Sequence, residues 1–304
     1  MRDSRTAGRF SAGLLLAASG SILFSGKAII VKLCYRYGVD AETLIALRML
    51  MALPVFAFAL AWTLRGAASL TFADHVRLSV IGACGYYIAS YFDFLGLQTI
   101  TAALERLILY LNPTIVLLLS AVFLRRAIQR IDVVALTLSY LGIVLAFWHD
   151  VSFDARGVAT GATFVFLATL SYALYLVVAG ELVGRIGAIR LTAYAMCVAS
   201  AGVLVQFSLM RPMQALLQPA PVLWLSLFNA MACTVLPVFA TMLAVARVGA
   251  GNVAMMAMVG PVSTIALAYL FLDEAVSAWQ IGGTALVLTG VWVLSRKRAE
   301  AAAA

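Results

Sequence analysis

Residues 113–124 read PTIVLLLSAVFL, and residues 261–272, which lie 148 positions later, read PVSTIALAYLFL. The leading proline, the leucine at the seventh position and the closing Phe-Leu pair recur in both stretches. The same offset continues outward: Gly13 falls on Gly161, and hydrophobic segments fall on hydrophobic segments without a gap. Internal symmetry of this length in an apolar chain is typical of a duplicated membrane unit.

The composition requires lipid as the solvent for most of the surface. Of 304 residues, 64% are apolar and 11% are charged, and the mean hydropathy is +1.03. A soluble domain needs a more polar shell than this chain provides. Stretches of about 20 apolar residues predict ten transmembrane helices, at 11–33, 42–64, 75–97, 101–124, 131–148, 156–180, 187–209, 222–245, 250–271 and 279–295. We therefore expect an all-α integral membrane fold, with the lipid bilayer as its surroundings.

The charges predict the orientation of the chain. With both termini in the cytoplasm, fourteen of the 21 Lys and Arg residues lie inside, four lie outside and three lie within spans. This positive-inside bias accounts for the net charge of +8 without a nucleic-acid partner. Each half, 1–148 and 149–304, holds five predicted spans, so the second half enters the membrane from the opposite side. Arg125-Arg126 accordingly align with Asp273-Glu274, and we expect two inverted five-helix repeats with a site between them near the middle of the bilayer.

A family resemblance rests on the end of each repeat. Residues 271–283, FLDEAVSAWQIGG, with LTG at 288–290, resemble the close of an EamA repeat, and the first half follows the same pattern from Pro113 to Gly142. The chain thus resembles the ten-helix EamA branch of the drug/metabolite transporter superfamily, over its whole length, and within it the exporters of amino acids, including aromatic ones. The first half departs from the repeat at Arg126, where an acid is usual. The resemblance implies export of amino acids, and it places Asn112 and Tyr172 where related exporters have pocket aromatics.

Two prolines mark the middle of the predicted membrane region. Pro113 and Pro261 lie about 18 and 16 Å into spans 4 and 9 at ~1.5 Å per residue. Each removes one helical hydrogen bond. Their equivalent placement favours a kink with a gating or binding role over a simple packing kink.

Polar and aromatic residues gather at the same depth. A phenol this deep needs a hydrogen-bonding partner or a wet cavity. The residues predict an amphiphilic substrate pocket, although ordinary helix packing explains each tyrosine equally well when taken alone. The candidate substrate-binding residues are Tyr86, Tyr87, Tyr110, Asn112, Tyr172, Tyr175, Asn229, Thr234 and Met258.

Charged residues within the spans form a second set. Lys27, Arg48, Asp93, Glu105 and Arg106 all fall in the outer third of the predicted membrane region. Snorkelling with mutual ion pairing is one interpretation. An outer gate closed by salt bridges is the other, and Lys27 is also a candidate to attract a substrate carboxylate.

The coupling and the class of protein follow from what the spans contain. Predicted span 1 has no acid, which argues against the proton-exchanging carboxylate of small multidrug transporters, and facilitated export is expected. A proton antiporter for drugs or other metabolites and a passive channel stay open as alternatives. The two histidines, His75 and His149, are predicted at opposite faces, and no cofactor, metal site or enzymatic activity is expected. The expected location is a bacterial cytoplasmic membrane; the sequence predicts no oligomeric state.

Overall fold

The structure is a computed structural model, and it describes residues 2–65, 70–123, 130–150, 155–241, 243–244, 247, 256 and 259–303. These residues are helical wherever they form regular secondary structure. The α-helices are α1 (Arg2–Tyr35), α2 (Ala41–Leu64), α3 (Phe72–Gly82), α4 (Ala89–Leu97), α5 (Ala102–Leu109), α6 (Asn112–Phe123), α7 (Arg130–Asp150), α8 (Ala155–Ile186), α9 (Ala188–Met210), α10 (Ala220–Ala230), α11 (Val259–Leu272) and α12 (Ala278–Ala303). Two π-helical segments, π1 (Ala83–Ile88) and π2 (Met231–Val235), and a 3₁₀ turn at Met213–Leu216 lie between them.

Seven stretches in the described part of the chain are long and apolar enough to cross a membrane. They coincide with predicted spans 1 to 4 and 6 to 8, and they run over Ala12–Tyr35, Ala41–Leu64, Phe72–Leu97, Ala102–Phe123, Gly157–Ile186, Ala188–Met210 and Ala220–Thr241. Helices α7, α11 and α12 occupy the positions of predicted spans 5, 9 and 10. The described apolar parts of α7 and α11 are shorter, at 10–17 residues. The all-helical membrane fold is therefore confirmed, while the number of ten spans and the cytoplasmic location of both termini stay predictions.

Side chains at the span ends explain where several helices begin. Asp40 caps α2 by accepting the amide of the residue three positions later at 2.9 Å. Thr71 and Asp74 form a reciprocal capping box at the start of α3. Thr101 caps α5 by accepting the amide N–H of Leu104 at its hydroxyl oxygen, at 3.1 Å. Each cap satisfies amide donors that the first turn leaves without an intrahelical partner.

The fourth span is broken into two helices. Helix α5 ends at Leu109, and α6 begins at Asn112 after a turn at Tyr110 and Leu111. Pro113 is the second residue of α6, and Pro261 is the third residue of α11. A proline is tolerated in a first turn because its missing N–H would have no helical acceptor there. Pro113 thus stands at the start of α6, directly after the turn at Tyr110 and Leu111.

Helix packing follows the 148-residue offset. Helices α2 and α9, which occupy equivalent positions in the two halves, pack on each other, and so do α7 and α12. The contact of α3 and π1 with α8 has its equivalent in the contact of α10 and π2 with α1, and the contact of α1 with α11 has its equivalent in that of α8 with α6. The repeat read in the sequence is therefore also a repeat of contacts.

Small residues allow the closest of these approaches. A Cβ added at Gly161 on α8 would lie 2.9 Å from the carbonyl oxygen of Gly96 on α4, and one added at Gly96 would lie 2.7 Å from the carbonyl oxygen of Gly161. Backbone contact of this kind is how membrane helices gain packing energy in the absence of a hydrophobic force between them.

The two π-helical segments also obey the offset. Their first residues, Ala83 and Met231, are 148 positions apart, and each segment interrupts an otherwise α-helical span near its centre. The apolar pattern of these spans did not predict the π-helices. Single π-helical turns inside α-helices are frequent at functional sites, and both segments contribute to the cavity described next.

Candidate functional site

A cavity of about 480 Å³ lies between the helices of the two halves. This volume is in the range of small-molecule pockets. Residues of α1, α2, α4, α5, α6, α8, α9 and both π-helices line it, together with residues 237–241. The cavity is therefore formed jointly by both repeats.

Three of the predicted charged residues form an ionic cluster at the cavity. The Lys27 ammonium on α1 pairs with a carboxylate oxygen of Asp93 on α4. It also lies 3.1 Å from Oε1 of Glu105 on α5. The three side chains are 7%, 6% and 0% exposed. The structure thus brings together residues from three spans whose proximity the sequence suggested only through their similar depth.

Two arginines flank this cluster and also line the cavity. Arg48 on α2 donates to Ser90 Oγ at 2.7 Å, and its guanidinium carbon lies 4.7 Å from the centre of the Phe94 ring. Arg106 on α5 donates to Ser25 Oγ at 2.8 Å. In the described part of the chain, the Nε atoms of both arginines are buried without a hydrogen-bond partner. Both guanidinium groups are therefore held by hydroxyl and aromatic groups.

A cluster of three tyrosines forms another wall of the cavity. Tyr86 in π1 contacts Tyr175 and Tyr172 of α8 edge-on, at ring-centre distances of 5.0 and 6.0 Å. Tyr172 and Tyr175 stack at 5.5 Å. The Tyr86 and Tyr175 hydroxyl groups are 3.4 Å apart. This arrangement presents aromatic surface with a few hydroxyl groups, as the sequence predicted for a pocket.

Glycine at position 85 makes room for the tyrosine cluster. A Cβ added at Gly85 would lie 2.4 Å from Cγ of Tyr175. The tyrosine ring therefore rests directly on the backbone of π1. No larger residue fits there without moving Tyr175.

Three further predicted residues also line the cavity. Asn112 donates to the carbonyl oxygen of Thr169 at 3.4 Å, and Thr234 of π2 donates to the carbonyl oxygen of Asn229 at 3.0 Å. Tyr110 lies beside Arg106, whose guanidinium carbon is 5.8 Å from the phenol ring centre. Asn112, Thr234 and Tyr110 are all in contact with the cavity volume.

Other predicted residues lie apart from the cavity or outside the described residues. Tyr87 faces Gly202 of α9, where an added Cβ would lie 3.2 Å from its ring. Asn229 is fully buried in α10, next to but not on the cavity lining. Pro261 is buried in α11. Met258 lies outside the described residues, and so does the side chain of Pro113.

Span 7 and the end of span 8 contribute lining residues that sequence reasoning missed. Met196 and Thr192 of α9 line the cavity, as does Thr241. A signal for two of them was present in the sequence: Met196 is the 148-residue equivalent of Arg48, and Thr241 is the equivalent of Asp93. Applying the offset to the predicted charged residues would have identified both.

Contacts that converge on Glu274 join α1, α5 and the end of α11. Its carboxylate accepts the amide of Ala102 at 3.1 Å and pairs with Lys32 at 3.3 Å. Arg36 beside it donates to the carbonyl oxygen of Leu272 at 2.6 Å. Glu274 thereby caps α5 and ties it to α1 and to the end of α11. The acidic pair noted in the sequence at 273–274 has a structural role at this end.

Comparisons with known proteins agree with this architecture. The model of the EamA-like transporter family matches residues 11–148 and again residues 159–296. An uncharacterized transporter of Bacillus subtilis (strain 168), YcbK, is 29% identical over 297 residues, which cover 92% of this chain and 93% of that protein. An uncharacterized transporter of Archaeoglobus fulgidus is 28% identical over 127 residues, or 42% of this chain and 44% of that protein.

A solved crystal structure shares the fold. It superimposes with a TM-score of 0.66 at 18% identity, covering 94% of this chain and 98% of the other. Because the family model covers most of the chain in two matches, the protein belongs to the EamA-like transporter family and is a multi-pass integral membrane protein.

Proposed function

We propose that the protein exports small amphiphilic metabolites, with amino acids as the first candidates, across a bacterial cytoplasmic membrane. The observation that carries this proposal is the cavity of about 480 Å³, which joins a charged region and an aromatic region inside the membrane fold. A charged head group and an apolar side chain of one substrate would each find a matching wall. The resemblance to amino-acid exporters points to the same class.

The proposed mechanism is alternating access between two inverted repeats, 1–148 and 149–304. Packing that follows the 148-residue offset supports it, because two halves with equivalent contacts can exchange conformations. By the positive-inside orientation, the ionic cluster and Glu274 lie toward the outside, while lining residues such as Thr192 and Thr241 lie toward the cytoplasmic ends of their helices. We infer that the ionic cluster and the contacts of Glu274 close the outer side of the cavity in this conformation.

We further propose facilitated export without proton exchange. Among the described residues of α1 within the membrane, there is no acid. Asp93 and Glu105, two acids within the described spans, are both held by Lys27. A carboxylate engaged by a buried ammonium is poorly placed to exchange protons in each cycle. Saturable uptake into liposomes with no pH gradient is expected, and an absolute requirement for an imposed gradient would favour the proton-antiporter alternative.

The experiment that tests the function is uptake of a panel of radiolabelled amino acids into proteoliposomes that contain the purified protein. Tyr110→Ala and Asn112→Ala alter the cavity at the break in span 4 and should lose uptake. Tyr269→Ala is the matched control, because the side chain of this tyrosine on α11 is 63% exposed and does not line the cavity. This variant should transport normally. Saturation and counterflow separate a carrier from a passive channel. No uptake of any amino acid would refute this substrate assignment.

A further inference from the structure

Among the described residues of the cavity, the charged ones all come from the first repeat. The cavity region holds three cations, Lys27, Arg48 and Arg106, and two carboxylates, Asp93 and Glu105. Even with both carboxylates ionised, positive charge is therefore in excess by one. At the equivalent positions 148 residues later, the chain has Tyr175, Met196, Ala254, Thr241 and Val253, which are all uncharged. The second repeat does not compensate the excess.

The ionic cluster assigns this excess to the arginines. Lys27 lies between both carboxylates and is compensated by them. Among the described residues, Arg48 and Arg106 form no ion pair, and their nearest polar partners are the hydroxyl groups of Ser90 and Ser25. Asp93 and Glu105 attract these arginines only from beyond ion-pair distance, and a cation in excess inside a membrane protein is costly. Such a cost is reduced when an anion binds, so the two arginines favour an anionic ligand in this cavity.

The aromatic wall lies at a suitable distance from the arginines. Tyr86 precedes Ser90, the partner of Arg48, by four residues in the same span, and it precedes Asp93 by seven. At ~1.5 Å per residue these separations are about 6 and 10 Å along the helix. Tyr172 and Tyr175 extend the aromatic wall from Tyr86. A small molecule with a carboxylate at one end and an apolar or aromatic group at the other spans this distance.

We propose that the cavity binds an organic monoanion, with its carboxylate on Arg48 and Arg106 and its apolar part against Tyr86, Tyr172 and Tyr175. This inference rests on the proposed transport function and specifies its substrate class. The α-ammonium group of an amino acid adds a cation next to an existing excess of positive charge. Monocarboxylates without an amino group therefore bind more tightly than the amino acid of the same skeleton.

The charge of the substrate has a consequence for the direction of transport. A monoanion that crosses without a counterion carries net charge, and each charge moving across 100 mV changes the free energy by about 2.3 kcal/mol. This corresponds to an accumulation on the order of 50-fold per 100 mV on the positive side. An inside-negative membrane would drive such a substrate outward, and facilitated export would then need no proton gradient.

Binding of three probes that share a phenyl group tests the substrate class. The probes are 3-phenylpropionate, phenylalanine and phenethylamine, which are anionic, zwitterionic and cationic, and binding to the purified full-length protein is measured by calorimetry. We expect affinity to fall in that order. Arg48→Met and Arg106→Met should each weaken 3-phenylpropionate by at least about tenfold and change phenethylamine little. Arg77→Met, which removes an exposed arginine away from the cavity, is the matched control and should keep wild-type affinities.

Electrogenic transport provides an independent readout. In proteoliposomes with an imposed, inside-positive potassium diffusion potential, 3-phenylpropionate should accumulate and phenylalanine should only equilibrate. If phenethylamine or phenylalanine binds as tightly as 3-phenylpropionate, or if none of the three binds, the inference is wrong. This comparison uses the wild-type protein, so it tests the inference even where an arginine variant fails to fold. Saturable uptake of phenethylamine in its place would leave the transporter proposal standing. Binding of 3-phenylpropionate without uptake of any probe would instead overturn the proposed transport and leave the binding site.

Discussion

Replacing Lys27 by methionine tests the energetics of the ionic cluster. The substitution keeps the length of the side chain and removes the cation that compensates Asp93 and Glu105. Both carboxylates are nearly inaccessible, with side chains 6% and 0% exposed. Removing one partner of a buried ion pair leaves an uncompensated charge, which costs about 3–5 kcal/mol.

The same helix offers a control substitution for this effect. Lys32 pairs with Glu274 at 3.3 Å, but these side chains are 23% and 16% exposed. A partly hydrated pair of this kind contributes about 1 kcal/mol or less. We therefore expect Lys27→Met to lower the free energy of unfolding by at least about 2 kcal/mol more than Lys32→Met does.

The measurement is reversible unfolding by sodium dodecyl sulfate in mixed micelles, followed by circular dichroism. A third variant tests the cause: Lys27→Met combined with Asp93→Asn removes both members of one ion pair, keeps the net charge of the cavity region as in the wild type, and should recover part of the loss, since neutral replacements of a buried ion pair are often close to neutral in stability. If Lys27→Met costs no more than Lys32→Met, or if the double variant is less stable than Lys27→Met alone, the cluster does not have the proposed energetics.

The remaining predictions concern packing and helix ends. Gly85→Ala introduces a Cβ that would lie 2.4 Å from Cγ of Tyr175, so it should lower the free energy of unfolding by about 1–3 kcal/mol through overpacking and raise the KM for uptake. Gly184→Ala is the control, because this position has open space around it, and it should leave uptake unchanged. Equal KM values for the two variants would contradict the proposed packing at π1. Asp74→Ala removes both a capping box and the ion pair with Arg185, and it should lower the free energy of unfolding by about 1–2 kcal/mol. Arg185→Ala removes only the ion pair and should cost less than about 1 kcal/mol, because that side chain is 57% exposed. The reverse order would show that the ion pair, and not the cap, stabilises the start of α3.

Much of the fold could be predicted from the sequence because its main determinants are periodic. Long apolar stretches located the spans, since an unpaired backbone group in lipid costs several kcal/mol and enforces helices. The offset of 148 residues predicted which helices would occupy equivalent positions. Both features depend on composition and spacing alone.

The local departures from a regular helix could not be predicted in the same way. The π-helices at Ala83–Ile88 and Met231–Val235 lie in sequences as apolar as their surroundings. A π-helical turn holds about one residue more than an α-helical turn, and this extra residue does not change the hydropathy of the segment. The break at Tyr110 and Leu111 was indicated by Pro113, because proline has a direct effect on the backbone.

The candidate site was predicted in part. Residue type and depth identified Lys27, Asp93 and Glu105, but the side on which a helix faces its neighbours depends on packing. For this reason Tyr87 was grouped with Tyr86, although the two rings contact different helices. Adjacent residues on a helix point about 100° apart, so Tyr86 and Tyr87 reach different neighbouring helices.

The comparison of the two repeats shows where the specificity of such a protein can arise. Equivalent contacts, equivalent π-helices and equivalent proline positions give both halves the same framework. The halves differ at Lys27 and Tyr175, which occupy equivalent positions in α1 and α8 and contribute to the ionic cluster and to the tyrosine cluster. Symmetry of the backbone permits the two halves to exchange roles, whereas this difference in side chains gives the cavity one charged and one aromatic wall. A bound substrate is oriented by the side chains in which the two repeats differ, and it is moved across the membrane by the conformational exchange that their shared framework permits.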